Sequence, residues 1–329
     1  MKRRIQLLLL ACMGIAVGAV VAEVALRLFS PNGIPFAVQW GIADDAIEQR
    51  ASKASQESYG SLTFDADGFR LGSGLPYERS ILFLGDSFTE GHGVGDDETF
   101  ARMTESALRR EGVLVGSLNA GHRGFGAAQE LKVLRRMLDR LRIDAIVLQS
   151  FPMNDLSDNL AYGGFGLADD KLVEHQTPKP PLRARVSQAI SQSRLQHLYI
   201  VRTIFNAMAG RSGAAPYDDP LSFDLERALL KELVASARRR NIPIVILIIP
   251  TKLSQKAPES LSMVHEKEIQ RFERIHAFVQ GLGVAYVDAG AIIADLDADA
   301  AKGDGSHFSR DGNKLIGAAL AARLQPLLH

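Results

Sequence analysis

Residues 81–91 read Ile-Leu-Phe-Leu-Gly-Asp-Ser-Phe-Thr-Glu-Gly. The apolar run 81–84, stopped by Gly85, predicts a short strand, and the spacing of Phe100, Met103, Ala107 and Leu108 predicts a helix over 98–111. The pair then recurs. Strands are expected at 113–118, 144–151, 243–249 and 284–288, and helices at 126–142, 223–240, 260–280 and from about 309. In 126–142, Leu131, Leu134, Leu138 and Leu141 share one face, while Lys132, Arg135, Arg136 and Arg140 share the other, as in a helix with one solvated side. Residues 241–249 are apolar without alternation, which suits a parallel strand covered on both faces. Five strands alternating with helices predict an α/β fold, a doubly wound parallel sheet with right-handed crossovers.

The regularity lapses twice. Residues 30–78 carry Pro31, Pro35 and a Ser/Gln/Glu run near 52–58, and read as a linker with a capping segment. From about 156 to 220, Gly163, Gly164, Gly166 and the Pro178–Pro181 cluster mark an insertion that covers one end of the sheet.

Composition sets outer limits. The 329 residues are 46% hydrophobic and 23% charged, which excludes a disordered, collagen-like or disulfide-framed chain. Thirty-eight basic residues balance 38 acidic ones, so the electrostatic footprint of a nucleic-acid binder is missing and no nucleic-acid partner is expected. Cys12, the single cysteine, excludes an internal disulfide and a CxxC metal site. It lies in an apolar stretch from Ile5 to Ala22 that follows Lys2, Arg3 and Arg4 and is about long enough to span a bilayer. Residues 1–29 therefore read as a transmembrane anchor or signal. A cleaved signal peptide and a lipidated Cys12 are the competing readings. The anchor is preferred, because the run continues past Cys12 and Val20-Val21-Ala22 is only a passable cleavage site. The basic end stays cytoplasmic and the remainder is expected outside the cytoplasm, tethered to the membrane. Phe36 and Trp40, just beyond, suit the membrane interface.

In an open parallel sheet, ligands bind beyond the carboxyl ends of the strands. Those ends lead to Gly85-Asp86-Ser87, to Asn119-Ala120-Gly121-His122-Arg123-Gly124, to Pro152-Met153-Asn154-Asp155 and, after the last strand, to Asp304-Gly305-Ser306-His307. These are the parts of a serine acyl-transfer site. A hydroxyl needs an imidazole to take its proton and a carboxylate to hold the imidazole, here Ser87, His307 and Asp304. The oxyanion needs preset donors: the Ser87 and Gly124 amides and the Asn154 side chain. Glycine suits position 124, because a main chain without Cβ can approach a substrate closely.

The blocks ILFLGDSFTEG, NAGHRGFG, FPMND and DGSHFS, with DADGFR ahead of the first and SDN after the third, resemble the SGNH (GDSL-type) hydrolases, closest to bacterial members with an N-terminal membrane segment. The resemblance runs from about Asp67 to the C-terminus. It implies a flavodoxin-like three-layer α/β/α sandwich with a five-stranded parallel sheet over 79–329. It also implies Ser87 as nucleophile, His307 as base, Asp304 as its partner, and Ser87, Gly124 and Asn154 as the oxyanion hole. The activity it implies is a serine esterase working without cofactor or metal on an acyl ester, with O-acetyl groups on carbohydrate preferred. A polysaccharide O-acyltransferase using the same triad, or a non-catalytic envelope-binding protein, are the alternatives. Pro152 stands where many members have glycine.

Other candidates receive plain readings. His92 and His122 are expected to pack near the rim, and Asp86 and Asp155 to brace loops. Gly91, Gly93 and Gly95 lack the spacing of a phosphate loop. His175, His197, His265 and His276 lack paired ligand spacing.

Overall fold

The structure is a computed structural model that describes residues 2–30, 46–57, 60–175, 182, 186, 189–190, 195, 198–209, 220–250, 262–294 and 307–328. In chain order the helix α1 (Lys2–Phe29) precedes a hairpin of β1 (Ala54–Glu57) and β2 (Gly60–Thr63). Then come β3 (Arg79–Leu84), α2 (Ser87–Glu90), α3 (Phe100–Arg110), β4 (Val115–Asn119), α4 (Ala127–Arg140), β5 (Ala145–Ser150) and α5 (Pro152–Tyr162). A second hairpin, β6 (Phe165–Ala168) and β7 (Lys171–Glu174), leads to α6 (Tyr199–Ala209), α7 (Pro220–Arg239), β8 (Ile244–Ile248), α8 (Ser262–Gln280), β9 (Ala285–Asp288), α9 (Ala289–Ile293) and α10 (Arg310–Leu324). The chain divides into two compact units, one of residues 1–41 with 179–214 and one of residues 42–178 with 215–329.

The larger unit holds a five-stranded parallel sheet in the order β4-β3-β5-β8-β9. Strands β3, β5 and β8 are apolar almost throughout and buried, because helices cover both faces. Ile81, Phe83, Val147, Val245 and Leu247 point to one side, where Phe100 and Leu108 of α3 and Ile316 and Leu320 of α10 close the core. On the other side α4, α5 and α7 pack together, burying Leu131, Leu134, Leu229 and Leu233. The three layers and five parallel strands are those expected. The chain leaves β3 in one direction to form β4 and returns across it to form β5, so the turn after β3 stands at the point where strand order reverses.

Both short hairpins and α6 arise where no regular element was expected. Four-residue strands give too brief an alternation to register as a pattern, and Gly166 interrupts one of them. In the smaller unit, Glu23 of α1 accepts hydrogen bonds from the Tyr199 N–H at 3.0 Å and the Ile200 N–H at 2.9 Å, satisfying two donors that begin α6. Arg27 pairs with the same carboxylate and lies over the Tyr199 ring. Among the described residues no helix is long and apolar enough to cross a membrane.

Residues 46–78 belong to the same compact unit as the sheet, and two of their arginines enter it. Arg70, 1% exposed, spends all five of its N–H donors. They reach the carbonyls of Glu90 (2.5 Å), Gly91 (2.6 Å), Val94 (2.7 Å) and Ser61 (3.2 Å) and the carboxylate of Asp96 (3.1 Å). Arg50 reaches the carbonyls of Gly68 and Gly121, both at 2.6 Å, and Glu90 Oε1 at 3.2 Å. A guanidinium buried this deeply is tolerable only because each donor is matched. Arg70→Leu strands three carbonyls around α2 and leaves Asp96 without its pair. It is expected to cost about 3–5 kcal/mol, roughly 10 °C in Tm; a thermal melt within 2 °C of wild type contradicts this account.

Candidate active site

Gly85 leaves β3 into a space that admits no side chain, since a Cβ there would overlap Thr89 Oγ1 and Gln149 Oε1. Asp86 follows as the cap of α2: its Oδ1 accepts from the Phe88 N–H at 2.8 Å, and its own N–H donates to Gln149 Oε1 at 2.9 Å. Gln149 also accepts from Thr89 Oγ1 at 3.0 Å, so one amide oxygen on β5 fixes both ends of this turn. Ser87 is thereby set at the start of a four-residue helix that ends at Gly91, whose φ of +81° is open to glycine at little cost.

His307, far along the chain, brings Nε2 to 2.8 Å from Ser87 Oγ. Its ring packs against Phe88 (4.7 Å between centroids) and edge-on against His92 (4.8 Å). His92 also closes the elbow through its N–H to the Ser87 carbonyl at 2.9 Å. Asp304, the third member expected, lies outside the described residues, as do His197, Phe36 and Trp40.

After β4, the Asn119 side chain holds the loop to α2. Its Nδ2 donates to the Thr89 carbonyl at 2.7 Å, and its Oδ1 accepts from the Gly121 N–H at 3.0 Å. The His122 N–H reaches the Gly85 carbonyl at 3.0 Å. Gly124, at φ +79°, occupies the left-handed region, which explains glycine there as well as close approach does. The His122 ring stacks on Phe125 and has Nδ1 2.9 Å from the Arg123 carbonyl, an acceptor only, so Nδ1 carries the proton. Burial, reinforced by Arg50, lowers its pKa to about 4, which keeps the imidazole neutral.

After β5, Pro152 occupies the first turn of α5, where a missing N–H costs nothing, so the departure from glycine is accommodated. Asp155 Oδ2 accepts from the Phe151 N–H at 2.6 Å, bracing this turn. Asn154 Nδ2 donates to Asp86 Oδ2 at 3.0 Å and ties the third block to the first. His276 contacts Asp288, Phe272 and Tyr286. Among the described residues no group of three or more His, Cys, Asp or Glu could hold a metal ion. A cavity of about 230 Å³ lined by Asp65, Tyr77, Ser80 and Asp144 lies at the amino ends of β3 and β5, the edge opposite Ser87.

Two clusters of buried charge flank α2, and neither was singled out from the sequence. One is Glu90 with Arg50 and Arg123. Burial raises the Glu90 pKa, but the attraction of Arg123 and Arg50 overrides it and brings it down to about 2. The other gathers Glu130, Asp155, Asp158 and Glu226 beside Asp86. Burial, with mutual repulsion for most of them, raises every one, Asp158 to about 8 and Glu226 to about 7. Paired Arg–Glu spacing absent from the local sequence, and acids scattered over α4, α5 and α7, explain why no linear motif announced them.

Sequence comparison gives these observations a context. The profile of the GDSL-like lipase/acylhydrolase family matches residues 83–315. The chain belongs to that family. It is a hydrolase of ester bonds with the family's α/β architecture. No curated protein sequence matches it. Among solved structures it is similar to the psychrotrophic esterase EstA of a Pseudoalteromonas species (12% identity over 76% of this chain and 99% of that one, TM-score 0.42). It is also similar to an aryl esterase of M. smegmatis (14%, 76% and 100%, 0.40) and to a variant of Axe2, an acetyl-xylooligosaccharide esterase of Geobacillus (14%, 76% and 95%, 0.43).

The raised carboxyls have a thermodynamic sign. Glu226 holds its proton in the folded state up to about pH 7 but releases it near its ordinary 4.5 when unfolded. Between these values the folded state binds more protons, so stability falls as pH rises, by about 1.4 kcal/mol per pH unit for each such proton. Urea titrations from pH 5 to 8 are expected to show this decline, and Glu226→Gln to flatten it; a slope unchanged in the variant contradicts the assignment.

Proposed function

We propose that this esterase uses Ser87 as its nucleophile, His307 as the general base and Asp304 as the carboxylate that orients the imidazole, with the Ser87 and Gly124 amides and the Asn154 side chain as oxyanion donors. The observation that carries this reading is the 2.8 Å approach of His307 Nε2 to Ser87 Oγ, the separation at which the hydroxyl proton can pass to the ring. Ser87 Oγ then bonds to the ester carbonyl carbon, whose oxygen becomes the oxyanion. His307 returns its proton to the departing alcohol, and a water deprotonated by the same ring releases the acid and restores Ser87. Asn154 has two N–H donors; Asp86 takes one and the other is left for the oxyanion. Acyl esters of envelope or extracellular carbohydrate are the substrate class that an exported location favours. With p-nitrophenyl acetate, Ser87→Ala is expected to lower kcat by a factor of about 10³ or more; equal rates overturn the nucleophile. Acylated oligosaccharide in place of free acid, when glycan is supplied, moves the reading to acyl transfer.

We infer further that α1 anchors the protein with its catalytic domain outside the cytoplasm. Lys2, Arg3 and Arg4 before the apolar run support this orientation. Leu10, Met13, Ile15, Val17, Val20 and Val21 are each more than half exposed, and so many bare apolar side chains on one helix call for an apolar surrounding. Membrane association is expected to survive high salt and alkaline carbonate and to vanish on deletion of residues 1–29; full-length protein released by carbonate contradicts the anchor.

A further inference from the structure

We propose that Glu90 and Arg123 are positioning residues of the oxyanion hole, their ion pair holding the Gly124 amide in register with that of Ser87. The proposal rests on the reading of those two amides as oxyanion donors. Ser87 is the first residue of α2 and Glu90 the last, while Arg123 immediately precedes Gly124. Arg123 Nε donates to Glu90 Oε2, and Arg50 holds the other carboxylate oxygen. The Glu90 side chain is 6% exposed and that of Arg123 24%, so the pair is shielded on the carboxylate side and opens toward the rim.

The β4–α4 loop has two other ties to this turn, from Asn119 to the Thr89 carbonyl and from the His122 N–H to the Gly85 carbonyl, and both act before residue 123. Beyond them, the peptide that presents the Gly124 N–H is the middle of a turn closed by the Phe125 N–H to the His122 carbonyl at 3.0 Å, with Gly124 at positive φ. That turn fixes the peptide within its own loop, and the Glu90–Arg123 pair ties residue 123 itself to α2. Glu90 is suited to it: its neighbours hold it ionised over the whole working range of pH. An oxyanion donor contributes only when aimed at the transition state before the reaction begins, so loosening this tie lowers turnover more than substrate binding.

The test uses full-length protein in detergent, with p-nitrophenyl acetate as substrate and a fluorophosphonate probe to count active sites. Glu90→Gln and Arg123→Lys are each expected to lower kcat per active site by about 10- to 100-fold with KM within a few-fold of wild type. The double variant should fall no further than the worse single, since both remove one interaction. A variant damaged only in folding loses probe-reactive sites but keeps the wild-type kcat per site. If Glu90→Gln does not fold, Arg123→Lys, at the more exposed partner, carries the test. Wild-type kcat per site in the folded variants, or additive losses in the double, overturns the positioning role. Wild-type protein that neither hydrolyses nor labels overturns instead the functional reading beneath it.

Discussion

A parallel sheet forces its carboxyl ends onto one rim, and that constraint makes this site possible. Ser87, Gly124 and Asn154 belong to loops that follow three adjacent strands, with β3 between β4 and β5. The same constraint buries several polar turns beside one another, Asp86, Thr89, Asn119 and Gln149 among them. The turns must therefore satisfy one another. Gln149 serves Asp86 and Thr89, Asp86 serves Phe88 and Asn154, and Asn119 serves Thr89 and Gly121. Gln149 of β5, Asp86 and Asn119 thereby join the three turns to one another. Order among the loops is thus a consequence of burial, and shape complementarity alone would not supply it.

Buried charge around α2 is handled in two opposite ways. On one side the groups are guanidiniums, which cannot shed their charge, so the carboxylate among them is held ionised and the carbonyls of the helix end turn toward them. On the other side the groups are carboxyls, which burial makes harder to ionise: it raises the pKa of Glu130, Asp155, Asp158, Glu226 and Asp86. A carboxyl that keeps its proton carries no charge, so the cluster avoids the mutual repulsion that ionised carboxylates would suffer.

The legible part of the sequence was whatever depends on local pattern. Apolar runs of four residues, 81–84 and 145–148, marked two central strands, amphipathic spacing marked α3 and α4, and the polar residues after each strand marked the rim. Pro152 looked out of place until its role at the first turn of α5 was visible. The burial of Arg50 and Arg70 was not legible, and for a physical reason. Arg50 and Arg70 bond chiefly to carbonyl oxygens, which every residue has, so no partner side chain marks their destination. Residues 46–71 consequently resemble a polar connector in composition while two of their side chains are buried against the turn of Ser87.

Ser87 and His307 are also less independent than their separation in sequence suggests. Phe88, the residue after Ser87, packs on the His307 ring, on Phe308 and on Phe151, and its backbone N–H is tied to Asp86. Movement of α2 therefore carries both the hydroxyl and a wall of the imidazole's seat. His92 supplies another wall and is itself bonded to the Ser87 carbonyl. The approach of Oγ to Nε2 is thus coupled to one short turn and its aromatic neighbours.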